Sequence, residues 1–195
     1  MSVDRRALLT QIIMSIQKMT DANSERLCNA SRFKSLEKGE ILVHQNCEDH
    51  FEYFLLNGKC RNLIRDAQGR EVTLGFTKGF GIVPPNIART REGNSLVEIE
   101  MLAASDIAII DSNKLTELMV GDEEIRDWGN AVLRQELQRM VAREWSLAVL
   151  SAQEKLEWFR SDFPDGEATF PHIHIASYLG ITPVTLSRVR APSRP

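Results

Sequence analysis

The 195-residue chain predicts an α+β fold: an N-terminal helix, a region of short antiparallel strands, one long helix and a C-terminal pair of short helices. Three observations carry this. Between Phe33 and Asp111, short apolar runs are separated by turn signals at intervals of about ten residues, the texture of an antiparallel sandwich or barrel. From Glu123 to Leu150, apolar residues keep helical spacing without a break. In "ASYLGITPVTLSR", residues 176–188, a glycine and a Thr-Pro pair divide two segments, each too short to be a stable helix alone in water. A hydrophobic content of 43% supplies a core, and a net charge of −3 confines any basic surface to a local patch.

The N-terminal "MSVDRRALLTQIIMSIQKMT" has two arginines ahead of an apolar run, like a secretory leader. However, Leu8, Leu9, Ile12, Ile13 and Ile16 recur at helical spacing with Thr10, Gln11, Ser15 and Gln17 between them, so an amphipathic helix is expected. No apolar stretch approaches the roughly 20 residues that span a bilayer. Cys28, Cys47 and Cys60 show neither a CxxC pair nor a histidine at zinc spacing. They read as reduced thiols of a cytoplasmic protein, and no Cys-ligated cluster or membrane partner is expected. In the strand region, turns are expected at Gly39, Asn57-Gly58, Gly69 and Gly79. Asp111 or Ser112 then caps a first helix, and Asp122 a second.

On that long helix, Asn130, Leu133, Leu137, Met140, Glu144 and Leu147 form a heptad seam. A second stripe comprises Ile125, Trp128, Val132, Val141, Trp145 and Ala148. One face is expected against the strand domain and the other against a twin helix, which makes the chain a homodimer. Two apolar stripes also describe a helix buried within a single chain. Ser151 and Glu154 form a capping box that opens a further helix, which Pro164 and Gly166 end.

The C-terminal pair fits a helix-turn-helix. Such a motif needs a small residue at the helix crossing, here Ala176, and a residue tolerant of positive φ in the turn, here Gly180. Ile175, Leu179, Ile181, Leu186 and Val189 face the core. Thr182 is an N-cap and Pro183 takes the first helical position, where its missing N–H costs nothing. Pro183, Val184, Ser187, Arg188 and Ala191 point away, as residues of a helix that enters a DNA major groove do. An ordinary helical hairpin with solvated arginines is the alternative.

With "IASYLGIT" followed by "TLSR", this segment resembles the C-terminal helix-turn-helix of the CRP/FNR family of bacterial transcription regulators. The stretch from "LEKGEILVHQ" to "TLGFTKGFG" is similar to that family's cyclic-nucleotide-binding β-roll. The resemblance implies an antiparallel β-roll of the double-stranded β-helix or jelly-roll type as a sensor domain (1–121), a dimerisation helix (122–150) and a DNA-binding domain (151–195). It implies a homodimer that binds double-stranded DNA, with RNA polymerase and a small-molecule effector as further partners. DNA contacts are expected from Thr182, Pro183, Val184, Ser187, Arg188 and Arg190, and dimer contacts from Leu133, Leu137, Met140, Glu144 and Leu147.

The chain departs from that family at three places. Relatives that bind cyclic nucleotide carry Phe-Gly-Glu-Leu and then Arg-Ser or Arg-Thr, so that an arginine and backbone N–H groups neutralise the phosphate and a glutamate accepts from the ribose. Here the sequence is "FGIVPPNIARTREGNSLVEIE": Ile82 replaces the glutamate, Pro84-Pro85 should disturb the short helix, and Asn94-Ser95 registers with the Arg-Ser pair, with Arg89-Thr90 earlier. A cyclic nucleotide is therefore not the expected cofactor; an effector pocket, if kept, involves Phe80, Gly81, Ile82, Arg89, Thr90 and Ser95. In the recognition helix Val184 stands where relatives often carry a glutamate. Only "APSRP" follows Arg190, so the β-hairpin wing of many relatives is expected to be missing. No catalytic motif is present, and the paired histidines His172/His174 and His44/His50 do not form a ligand cluster, so neither an enzyme nor a metal site is expected. A ligand-binding or interaction module whose helix-turn-helix has decayed is the second reading.

Overall fold

The computed structural model describes residues 4–191 and divides them into two compact units. The first gathers the chain up to Asn62 together with Phe76–Leu137. It opens with α1 (Arg5–Ile16), whose cap Asp4 accepts from the N–H groups of Arg6 and Ala7, and whose Leu9, Ile12 and Ile13 are buried. A second helix, α2 (Asp21–Asn29), follows a Thr20 cap.

The strands are β1 (Ser31–Leu36), β2 (Ile41–Val43), β3 (Phe51–Asn57), β4 (Lys59–Arg65), β5 (Glu71–Lys78), β6 (Gly81–Ile82), β7 (Thr90–Arg91), β8 (Asn94–Ser95), β9 (Glu98–Met101) and β10 (Ser105–Asp111). They form a four-stranded sheet β1-β10-β3-β6, a second four-stranded sheet β2-β9-β4-β5 and the small hairpin β7-β8. β10 runs antiparallel between β1 and β3. Gly39, Gly58, Gly69 and Gly79 all take positive φ, as their places in turns require. At Gly58 the reason is also steric, because a Cβ would sit 2.1 Å from the Ser105 hydroxyl.

Residues on β3 and β10 alternate between two faces. Phe54, Leu56, Ala108 and Ile110 join Leu9, Ile12, Ile13, Leu27, Leu115, Ile125 and Trp128 in one core beneath the helices. Trp128 fixes this layer: its indole N–H donates to the Ile13 carbonyl at 3.0 Å and its ring stacks on Phe54. Two further helices complete the layer. Asp111 caps α4 (Ser112–Gly121), and Asp122 accepts from the N–H groups of Glu124 and Ile125 at the start of α5 (Glu123–Val149). Asp122 also pairs with Arg26 at 2.8 Å, while Glu124 receives Thr20 and Asn23, so α2 anchors the first turn of α5. Pro84-Pro85 does not disturb the short helix. Pro85 immediately precedes α3 (Asn86–Arg89), a position where its missing donor is not needed.

The second unit comprises Leu63–Gly75 and the chain from Gln138 onward. The capping box at Ser151 and Glu154 opens α6 (Ala152–Asp162). After Pro164 the chain forms a four-residue helix, α7 (Gly166–Thr169), where the sequence suggested only a break. A Cβ on Gly166 would lie 2.7 Å from the Phe159 ring, so glycine here serves close packing. The aromatic core continues through Phe163, Phe170 and Tyr178, with Trp158 stacked on Tyr178 at 5.8 Å. The unit ends with α8 (His172–Tyr178) and α9 (Pro183–Arg190).

Candidate nucleic-acid interface and ligand cavity

The turn between α8 and α9 follows from its sequence. Gly180 adopts φ +63°, its N–H donates to the Ser177 carbonyl, and the Ile181 N–H reaches back to the Ala176 carbonyl. This closes the last turn of α8 in the pattern typical of a glycine C-cap. The Thr182 hydroxyl accepts from the Thr185 N–H at 3.0 Å, and Pro183 occupies the first position of α9. Ile175, Ala176, Leu179 and Leu186 are buried, whereas Ile181 and Val189 are half-buried.

That packing leaves one face of α9 free. Val184 is 71% exposed, and Pro183, Ser187 and Arg188 are exposed beside it. Arg190 behaves differently: its guanidinium pairs with Glu167 and lies 3.1 Å from His172 Nδ1, while Glu167 also holds Arg160 at 2.6 Å. Burial raises the Glu167 carboxyl, but the hydrogen bonds and charges of Arg160 and Arg190 together outweigh it and hold the group below its ordinary range. Among the expected DNA-contact residues, then, Arg188 presents an exposed charge and Arg190 is tethered to its own unit. The expectation about a wing falls on residues 192–195, outside the described residues.

On α8, the Ser177 hydroxyl accepts from the Thr73 N–H at 2.9 Å, and Arg143 of α5 bridges the carbonyls of Thr73 and Tyr178. Along α5 several large apolar side chains stand exposed among charged and polar ones. In the first unit Leu133 is half-buried and Leu137 is 61% exposed. In the second unit Met140, Val141 and Trp145 are exposed with Glu144, and Leu147 is half-buried, with its Cδ2 3.1 Å from where a Gly180 Cβ would stand. Of the second stripe, Ile125, Trp128 and Val132 turn inward, but Val141, Trp145 and Ala148 do not.

The six residues expected around an effector have different surroundings and partners. Arg89 is buried and committed: it pairs with Asp49, donates to the carbonyls of Pro84 and Phe51, and lies over the Tyr53 ring. Tyr53 donates to the same Asp49 at 3.0 Å. Burial pulls the Arg89 guanidinium down to about 10, which still leaves it charged at neutral pH. Thr90 and Ser95 pair directly across the β7-β8 hairpin, so Arg89-Thr90 and Asn94-Ser95 are opposite arms of one turn. The buried Ser95 hydroxyl donates to the Val97 carbonyl. Phe80 is 43% exposed. Sequence reasoning missed Asp49, reading it as part of a surface turn. Its neighbours Glu48 and His50 are indeed exposed, and a single buried acid in a polar loop leaves no periodic signal.

Ile82 and Thr90 instead border a cavity of about 380 Å³ between β3, α3, α4 and α5. Its lining is mostly apolar, with Phe54, Leu115, Met119, Trp128, Val132 and Leu133, and its polar groups include Glu52, Ser112 and Thr116. Glu52 accepts from the Asn86 N–H at 2.8 Å, yet burial pushes its carboxyl up to about 7. Among the described residues, no group of three or more His, Cys, Asp or Glu could hold a metal ion, and no helix is long and apolar enough to cross a membrane.

No family model and no curated protein matches the chain. Solved structures do. FixK2 from Bradyrhizobium japonicum superposes with a TM-score of 0.72 at 18% identity, covering 82% of each chain. The c-di-GMP-responsive global regulator CLP from Xanthomonas campestris gives 0.69 at 14% identity, covering 87% of this chain and 89% of that one. A CRP/FNR-family transcriptional regulator from Eubacterium rectale gives 0.65 at 16%, covering 88% and 82%. The chain shares the fold of the CRP/FNR-type transcription regulators.

Proposed function

We propose that the protein is a homodimeric, sequence-specific DNA-binding transcription regulator of the CRP/FNR type, responding to a signal other than cAMP. The observation that carries this reading is the free face of α9: Pro183, Val184, Ser187 and Arg188 stand exposed on a capped helix whose opposite side is buried. Arg188 can donate to a guanine edge or a phosphate, Ser187 can serve either role, and the Val184 methyls can pack on a thymine methyl. Thr182 places its hydroxyl at the helix N-terminus, where phosphates bind. Arg190, paired with Glu167, acts mainly by holding α9 in place.

The exposed apolar residues of α5 support the dimer. Leu137, Met140 and Val141 on a solvent-facing helix are costly for a monomer and suit a twin helix, with Glu144 setting register. The departure from cAMP rests on Arg89, whose charge Asp49 already neutralises, leaving it unable to receive a phosphate without breaking a buried pair. RNA polymerase is the partner such a regulator requires, and no enzymatic step is part of this reading.

Fluorescence anisotropy with a labelled fragment of the protein's own promoter tests it. Saturable binding that weakens steeply as salt rises is expected. Absence of binding by a folded dimer at micromolar concentration would leave the interaction-module reading, which the Glu167–Arg190 tether favours.

A further inference from the structure

The cavity beside α4 has features that neither packing nor DNA recognition uses. It lies on the helix-covered face of the sheet, because its residues Glu52 and Phe54 share the parity that places Phe54 in the core with Trp128 and Leu115. Arg89, Asp49 and Tyr53 belong to a separate cluster that is already closed on itself. At about 380 Å³ the cavity falls within the range of small-molecule sites, roughly 300–1,000 Å³.

One polar group in its lining has no partner, and a second has a single one. The Ser112 hydroxyl is buried with no hydrogen bond. Glu52 accepts one backbone N–H, and no cation pairs with it among the described residues. Glu52 is also the only ionisable side chain in the lining: α3 contributes Asn86, α4 contributes Ser112 and Thr116, and α5 contributes no charge. The ionisable Tyr53 next to it belongs to the Asp49 cluster on the other face of β3. An acceptor carboxylate and an idle hydroxyl in an apolar chamber call for a donor with a positive charge.

We propose that this cavity is the protein's small-molecule site and that it takes a compact apolar molecule bearing one protonated amine. The ammonium donates to Glu52 and Ser112, and the apolar body lies against Phe54, Trp128, Met119 and Val132. Ile87, which is 74% exposed, stands at the rim, and Leu133 joins the chamber to the α5 surface. Occupancy therefore bears on the helix assigned to dimerisation. That last link rests on the regulator reading above; binding itself does not.

Isothermal titration calorimetry of the full chain without DNA tests the site, using 4-phenylbutylamine, 4-phenylbutanol and 4-phenylbutyrate as probes at pH 8. One saturable site for the amine is expected, with the alcohol and the acid at least tenfold weaker. Glu52→Gln should weaken the amine at least tenfold and leave the alcohol unchanged. The amine's affinity should also fall below pH about 7, where the Glu52 carboxyl takes up a proton, and E52Q should lose that dependence. Val132→Phe, which fills the chamber, should abolish binding of all three probes; if it does not fold, E52Q carries the test. No saturable heat from the amine, equal affinity for all three probes, or unchanged amine binding by E52Q would each overturn the site. Because DNA is absent, any of these results leaves the DNA-binding reading standing, and saturable amine binding supports the site whether or not DNA is bound.

Discussion

At the scale of single residues, Arg89 and Val184 stand at two of the three places where the chain departs from the CRP/FNR pattern, and each makes a prediction. Arg89 and Asp49 form a buried pair, so removing one partner strands the other's charge. Arg89→Ala should destabilise the fold by about 3–5 kcal/mol. A double replacement of Arg89 and Asp49 by Met and Leu should cost far less, which chemical denaturation of the variants can measure. Val184 offers methyl groups where a glutamate would accept a hydrogen bond from cytosine. Val184→Glu should therefore shift the preferred base at one half-site position from thymine to cytosine, read by selection from a random DNA pool. Glu52 supplies a pH prediction. Its folded value of about 7 lies above the ordinary 4.5, so between those values the folded state holds the extra proton and stability falls as pH rises. Thermal unfolding of E52Q should lack that slope, and above pH 7 E52Q should be the more stable protein.

At the scale of elements, the helices show how far the sequence could be read. The cap at Thr182, the glycine turn at Gly180 and the capping box at Ser151 were legible because each is a local exchange of hydrogen bonds between residues a few positions apart. Replacing Thr182 by Ala should cost about 1 kcal/mol, the usual worth of an N-cap. Gly180→Ala should cost about as much or more, since φ there is +63° and the new methyl would meet Leu147. Both effects are measurable as shifts in thermal unfolding. α2 was not legible, because its buried residues are Ser24, Leu27 and Cys28 and its purpose is to present Asn23 and Arg26 to Asp122, nearly a hundred residues away. The cavity was missed for the same reason: Glu52, Ser112 and Val132 lie on three elements, and nothing in their spacing joins them. The cassette residues were found by likeness to relatives, yet their contacts depend on Asp49, which that likeness did not include.

At the scale of the whole molecule, the order of parts was legible from texture alone: strand punctuation by Gly39, Gly58, Gly69 and Gly79, then the long α5, then the short α8 and α9. The proposed dimer is tested at the exposed apolar residues of α5. Leu137→Glu should yield a monomer at micromolar concentration by light scattering and lose DNA binding with it, while far-UV circular dichroism stays unchanged, because Leu137 is already 61% exposed and little packing within the subunit is lost. In the proposed regulator, two copies of α9, held by paired subunits, read DNA together. Selection of bound sequences from a random pool tests this most directly. The expected result is an inverted repeat whose half-sites are centred about one helical turn, roughly 34 Å, apart. A single unpaired half-site, or no enriched sequence from a folded protein, would contradict it.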